Sequence, residues 1–276
     1  MDIVSIALFG LALVAGGCLS GFLAGLLGVG GGIVVVPVLF QILTMLGIDA
    51  DLAAKMSVGT SLATIIPTGI QSVKAHRAKG AVDTSLLRWW IGFVAIGVMI
   101  CVLIASVFPG IVLTSVFAVV ATIVALYMLA TPEGVHLLQS LPPRPVQSLL
   151  AVAIGTVSTL MGIGGGTLTV PVLSLCNYPV RRAVGTASVI GLVIAIPGTL
   201  GFVFNGWSVP GLPVLSLGYV NVLAFVLIAT TSVFFAPLGA RVAHAIEPKW
   251  LRRAFGIFLA ITAARMVYAV VTSATA

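Results

Sequence analysis

Gly28-Val29-Gly30-Gly31-Gly32-Ile33-Val34-Val35-Val36-Pro37-Val38-Leu39 is the stretch whose reading decides this fold. It returns as Gly162-Ile163-Gly164-Gly165-Gly166-Thr167-Leu168-Thr169-Val170-Pro171-Val172-Leu173, with eight of twelve positions identical. Glycine is a weak helix former, costing about 1 kcal/mol per residue relative to alanine. Ile33 to Val36 are β-branched, and a residue before proline avoids the helical region. Gly28 to Val36 is therefore expected to be extended or unwound. Pro37 is expected to open a new helix that runs to about Gly47. At about 1.5 Å per residue, that helix covers half of a bilayer's hydrocarbon core. The second copy, Pro171 to Tyr178, is shorter still, and both read as half-helices.

The rest of the chain supplies the bilayer. Of its 276 residues, 60% are apolar and 7% are charged. A soluble chain carries about a quarter charged residues. Ten hydrophobic segments are expected at 3–27, 33–47, 53–73, 86–107, 110–130, 146–161, 167–178, 183–204, 219–240 and 250–271. Inside lipid the backbone must satisfy itself, so the segments are helices and the fold class is an all-α polytopic membrane protein. Met1-Asp2 offers no basic n-region, so the first segment is expected to stay as a span rather than be cleaved. Cys18, Cys101 and Cys176 fall in apolar segments and read as free thiols packing as small hydrophobes.

Two further blocks repeat in the same order. Val58-Gly59-Thr60-Ser61 matches Val184-Gly185-Thr186-Ala187, and Gly80-Ala81-Val82-Asp83 matches Gly218-Tyr219-Val220-Asn221. The repeat unit is five segments. Five is odd, so the second copy runs inverted, giving two inverted repeats with Gly-rich broken or re-entrant helices. Inverted repeats with interruptions at matching positions are a recurrent transporter plan. The units are 1–131 and 146–276, with 132–145 as a cytoplasmic linker. Lys74, Arg77, Lys79, Arg88, Arg144, Arg181, Arg182, Arg241, Lys249, Arg252 and Arg253 fall on one side. Asp2, Asp49, Asp51 and Lys55 fall on the other. The positive-inside rule places the first set in the cytoplasm and both termini in the periplasm. Loop charge leaves open whether segments 1–2 and 6–7 span or re-enter.

Unwound backbone at membrane depth must lie in protein or line a wet cavity, and its free N–H groups favour an anion. Gly28, Gly30, Gly31 and Gly32 with Gly162, Gly164, Gly165 and Gly166 are therefore candidate substrate-binding residues, with close helix packing as the plainer reading. Gly17 and Gly21 read as packing positions. Lys55 and Arg181 are equivalent by the repeat and stand at opposite mouths, where they attract an anion or simply snorkel. Thr60, Ser61, Thr186 and Ser188 can donate to an oxyanion or back-bond to their own helix. Thr167 and Thr169 rank behind them, because the first break has apolar residues there. Arg265 reads as an anchor near the outer interface, and His76 and His244 read as groups at cytoplasmic helix ends. No Asp or Glu falls within a hydrophobic segment, which argues against a cation substrate and a carboxylate proton relay.

At the paired glycine blocks, the Val-Gly-Thr blocks and the His76-Arg77 to Asp83 loop, the chain resembles the TauE/SafE sulfite exporter family. The resemblance covers most of the chain. It implies transport of sulfite, a sulfonate, thiosulfate or another small sulfur-containing anion across the bacterial inner membrane. The expected function is a secondary transporter working by alternating access, with export as the expected direction. A passive anion channel and an uptake permease for another small oxyanion are the alternatives. Enzyme activity is not expected, since no histidine lies deep in a segment to activate a hydroxyl and no metal-ligand pair or P-loop occurs. The expected partners are a small anionic substrate and the lipid bilayer, with no nucleic acid and no cofactor or metal. Assembly as a homo-oligomer is compatible with this pattern.

Overall fold

A computed structural model describes residues 3–27, 31–130, 138–245 and 248–275. Gly28, Gly30 and part of the linker lie outside the described residues. The first half holds α1 (Ile3–Leu27), α2 (Gly32–Met45), α3 (Ala50–Ala78), α4 (Thr84–Ala105) and α5 (Gly110–Ala130). The second holds α6 (Arg144–Leu160), α7 (Gly166–Leu175), α8 (Val180–Asn205), α9 (Val222–Ala245) and α10 (Pro248–Thr275). A short antiparallel pair, β1 (Ser216–Leu217) and β2 (Val220–Asn221), precedes α9. The fold is that of an all-α polytopic membrane protein. Among the described residues, four helices (α4, α5, α8 and the Val222–Gly239 part of α9) are long and apolar enough to cross a membrane. Large apolar side chains such as Leu103, Leu126 and Phe234 face outward, a surface suited to lipid.

The first hairpin turns back on itself. Ser20 Oγ donates to Gly31 O at 3.1 Å, and Leu13 packs with Leu39. As α2 advances its partners on α1 recede, so α2 returns toward the end from which α1 set out. The second hairpin does the same from the other end. Leu138, just before α6, donates its N–H to Leu175 O at the close of α7. Tyr178, after α7, donates to the Asp83 carboxylate at the head of α4. Trp90 in α4 donates in turn to Gln147 in the first turn of α6 at 3.1 Å. The 29 residues of α3 connect the two ends, a length of about 43 Å.

One expectation is corrected. Ile33 to Val36 are not extended, and Pro37 does not open the helix. Helix α2 starts at Gly32, with Gly31 in the left-handed region at φ 75°, and Pro37 lies inside it. Helix α7 likewise starts at Gly166 with Pro171 inside. The physical reason is the cost of unpaired backbone away from water. Val34 and Val35 both donate to Gly31 O. A proline at the sixth helical position removes a single N–H, a smaller loss than unwinding a whole turn of buried β-branched residues. The true breaks are therefore shorter than expected. Both half-helices close on a left-handed residue, Gly47 and Asn177. Ile48 N–H donates to Leu43 O, and Tyr178 N–H to Leu173 O, the 6→1 bond of a Schellman end.

The halves exchange partners. Helix α1 packs along α9 and α6 along α4. Ser232 Oγ donates to Gly17 O and Thr156 Oγ1 to Gly97 O, both at 3.0 Å. A Cβ on Gly17 or Gly21 would collide with α9, so the packing reading holds there.

The repeated sequence blocks dock on one another. Thr60 Oγ1 accepts from Asn221 N at 2.9 Å, and Thr186 Oγ1 accepts from Asp83 N at 3.0 Å. Each Val-Gly-Thr block thus holds the Gly-x-Val-Asp/Asn block of the other half. Asp83 then caps α4 through Ser85 N and Leu86 N, and Asn221 caps α9 through Ala224 N. Replacing Thr60 with valine keeps the shape but leaves the buried Asn221 N–H unpaired. Thr60→Val should destabilise the fold by about 1–3 kcal/mol in reversible unfolding. Thr186→Val should have a smaller effect, because Asp83 is only half-buried and water can replace the lost acceptor.

Candidate functional site

The two breaks meet in the middle of the bundle. Ser61 Oγ donates to Gly162 O at 2.7 Å and approaches Gly32 O at 3.4 Å. A Cβ on Gly32 would lie 2.9 Å from Gly162 O, and one on Gly162 would lie 2.8 Å from Val58 Cα. Only glycine allows this approach. Gly32, Ser61 and Gly162 are all buried, so the junction is closed. Both α2 and α7 begin there, and each brings the positive end of its helix dipole to the same place. Gly164, Gly165 and Gly166 line the second break and are buried beside it.

The remaining candidates separate. Thr60 and Thr186 sit in the two docking contacts described above. Ser188 Oγ back-bonds to Gly185 O at 2.7 Å. Lys55 is buried, pairs with Asp51 at 2.9 Å and lies 5.9 Å above the Tyr219 ring. The other Asp51 oxygen accepts from Gly110 N. Arg181 is exposed at the opposite end. Arg265 donates to Gln41 on α2, an anchoring contact. A cavity of about 240 Å³ lies toward the start of α3, with Phe40, Asp51 and Thr114 on its wall. It belongs to one end of the bundle rather than to the glycine junction.

Three buried hydroxyls around the second break have no hydrogen-bond partner among the described residues: Ser158, Thr167 and Thr169. A fourth, Thr199, is on α8. Sequence reasoning ranked the two threonines low and did not single out Ser158. Its only available signal was polarity, and polarity alone does not distinguish an unpaired hydroxyl from a back-bonded one.

At the α4 end, the environment of Asp83 perturbs its carboxyl. Partial burial pushes its pKa up, but hydrogen bonds from Ser85, Tyr178 and Leu86 outweigh that and hold it at about 2. Burial and the same contact push the Tyr178 phenol up.

The family description "Sulfite exporter TauE/SafE" matches residues 13–266. A "Probable membrane transporter protein" of Haemophilus influenzae is 33% identical over 91% of this chain and 95% of its own length. A "Probable membrane transporter protein" of Methanocaldococcus jannaschii is 28% identical over 86% of this chain and 87% of its own. The Bacillus subtilis "Probable membrane transporter protein YunE" is 26% identical over 93% and 96%. No solved structure matches the chain.

Two outcomes follow from these contacts. Lys55→Gln should lower the thermal midpoint in detergent more than Arg181→Gln, because the first residue is buried and paired and the second is exposed. Asp83 has a depressed folded-state pKa, so its ionised form stabilises the fold above the ordinary carboxylate value. That contribution is lost as pH falls through about 2. The stability advantage of the native chain over Asp83→Asn should be constant near neutrality. It should shrink as pH is lowered below about 4, measured by thermal unfolding across that range.

Proposed function

This chain belongs to the TauE/SafE sulfite exporter family of membrane transporters, and from that premise we propose that it is a secondary carrier for a small sulfur-containing anion of the sulfite, sulfonate or thiosulfate type. It works by alternating access across the bacterial inner membrane, with export as its direction. One observation carries the proposal: two interrupted hairpins come from opposite ends of the bundle and meet at Gly32 and Gly162. Helix N-termini converging at mid-depth favour an anion over a cation.

The repeats are 1–131 and 146–276, joined by a cytoplasmic linker at 132–145. The exposed basic residues Lys74, Arg77, Lys79, Arg88, Arg144, Arg181 and Arg182 mark the cytoplasmic end, so both termini are periplasmic. Gly28, Gly30, Gly31, Gly32, Ser61, Gly162, Gly164, Gly165 and Gly166 are the substrate-binding residues of this reading. Lys55 and Arg181 stand at the two mouths. Thr60, Thr186 and Ser188 frame the site from α3 and α8. The closed junction supports a carrier over a channel, since Ser61 bridges the halves where an open pore would have to pass.

Purified protein in liposomes should take up labelled sulfite, thiosulfate or a sulfonate with saturable kinetics and counterflow. Failure to move any of these anions above empty liposomes would refute the proposal. Single-channel currents without counterflow would replace the carrier with a pore.

A further inference from the structure

We propose that the second break, rather than the first, holds the anion, with the hydroxyls of Ser158, Thr167 and Thr169 and the N–H groups of Gly164 to Thr167 as its donors. This rests on the anion-carrier reading above and names where in the junction the ligand sits.

The hydroxyls come first. Ser158, Thr167 and Thr169 are 1%, 3% and 0% exposed, and none has a partner among the described residues. The other buried hydroxyls, Thr199 apart, have partners, most often on their own backbone. Ser57 donates to Ala53 O, Thr114 to Gly110 O, and Thr159, the neighbour of Ser158, to Gly155 O. Back-bonding is the ordinary fate of a helical hydroxyl that is cut off from water. Its absence at three positions around one turn marks a place built for another acceptor.

The backbone agrees. The N–H groups of Gly164, Gly165, Gly166, Thr167 and Leu168 have no acceptor among the described residues, and pairing resumes with Thr169 N to Gly165 O at 2.9 Å. In the first break pairing resumes one residue earlier, with Val34 N to Gly31 O. Side chains on a helix lean toward its N-terminus, and Thr167 and Thr169, two residues apart, flank the first turn of α7 from opposite sides. Ser158 is tied to the same turn because its carbonyl accepts from Ile163 N at 2.9 Å.

The first break lacks these hydroxyls. In the aligned glycine blocks, Thr167 and Thr169 correspond to Ile33 and Val35, and Ser158 to Ala24. The cover differs as well. Ile65 presses on Gly32, its Cδ1 2.8 Å from where a Cβ would stand. Counting from the Val-Gly-Thr blocks, the counterpart of Ile65 is Gly191. A Cβ there would lie 3.5 Å from Gly165 N, so no side chain from that position lies over the second break. All of the donors are neutral. Desolvation cost rises steeply with charge, so neutral donors suit a small, singly charged oxyanion such as bisulfite or a sulfonate over a dianion such as sulfate.

The test compares Thr167→Val/Thr169→Val, its Thr167→Ser/Thr169→Ser counterpart and Gly191→Ala with the native chain. The readouts are KM in liposomes and the rise in thermal midpoint on adding bisulfite or methanesulfonate in detergent. The valine pair should raise KM at least tenfold and abolish the ligand-induced rise, and the serine pair should restore both. Gly191→Ala fits its surroundings at ordinary contact distance and should block binding likewise. Without ligand, the valine pair should melt no lower than the native chain, because the hydroxyls it removes are unpaired. An unchanged KM in the valine pair, or a large loss of ligand-free stability, would overturn the donor assignment. A native chain that shows no ligand-induced rise would overturn it too, leaving water as the occupant. A native chain that shows the rise without transport would instead refute the carrier reading and leave the donors standing.

Discussion

Ser61 Oγ lies 2.7 Å from Gly162 O, where the interrupted hairpins of both halves end against each other. In a bundle that faces lipid, unpaired backbone has no water to turn to. The chain is broken twice at mid-depth, and it tolerates this only because each break is walled by the other half. The glycines at 32 and 162 follow from the same constraint, since a Cβ at either position would displace backbone or a packed side chain. The short half-helices, the length of α3 and the placement of α8 are all consistent with holding these tips in register.

Symmetry is expressed through exchange rather than through resemblance alone. Helix α1 leans on α9, and α6 leans on α4. Thr60 holds the amide of Asn221, and Thr186 holds that of Asp83. Blocks that repeat in the sequence therefore repeat because they are the two sides of one contact used twice. The departures from symmetry are then informative. Asp83 carries a charge and a tyrosine contact where Asn221 has neither, and the threonines of α7 face an unpaired turn where α2 has isoleucine and valine.

Much of the architecture was legible in the chain. Composition points to the membrane class, and α1 to α10 fall close to the ten expected segments. The breaks themselves are shorter than local sequence preference implies. Local preferences of Val34 to Val36 and Pro37 favour extended backbone, but buried backbone must pair, and that pulled the helix start back to Gly32. Among the candidate residues, Ser61 was placed at the junction. Whether Thr60, Thr186 and Ser188 were paired, and with what, could not be read from residue type.

The sequence by itself determined that this is a polytopic helical protein with a glycine block repeated in each half, because hydrophobic length and an internal repeat are one-dimensional quantities. Only the tertiary structure decided that the hairpins return to their own ends and meet at Gly32 and Gly162. Only it showed that Lys55 is already paired with Asp51 and that the second break keeps its donors unspent. Each of these depends on which groups from distant segments lie within hydrogen-bond reach. That is a property of packing across more than a hundred residues of chain.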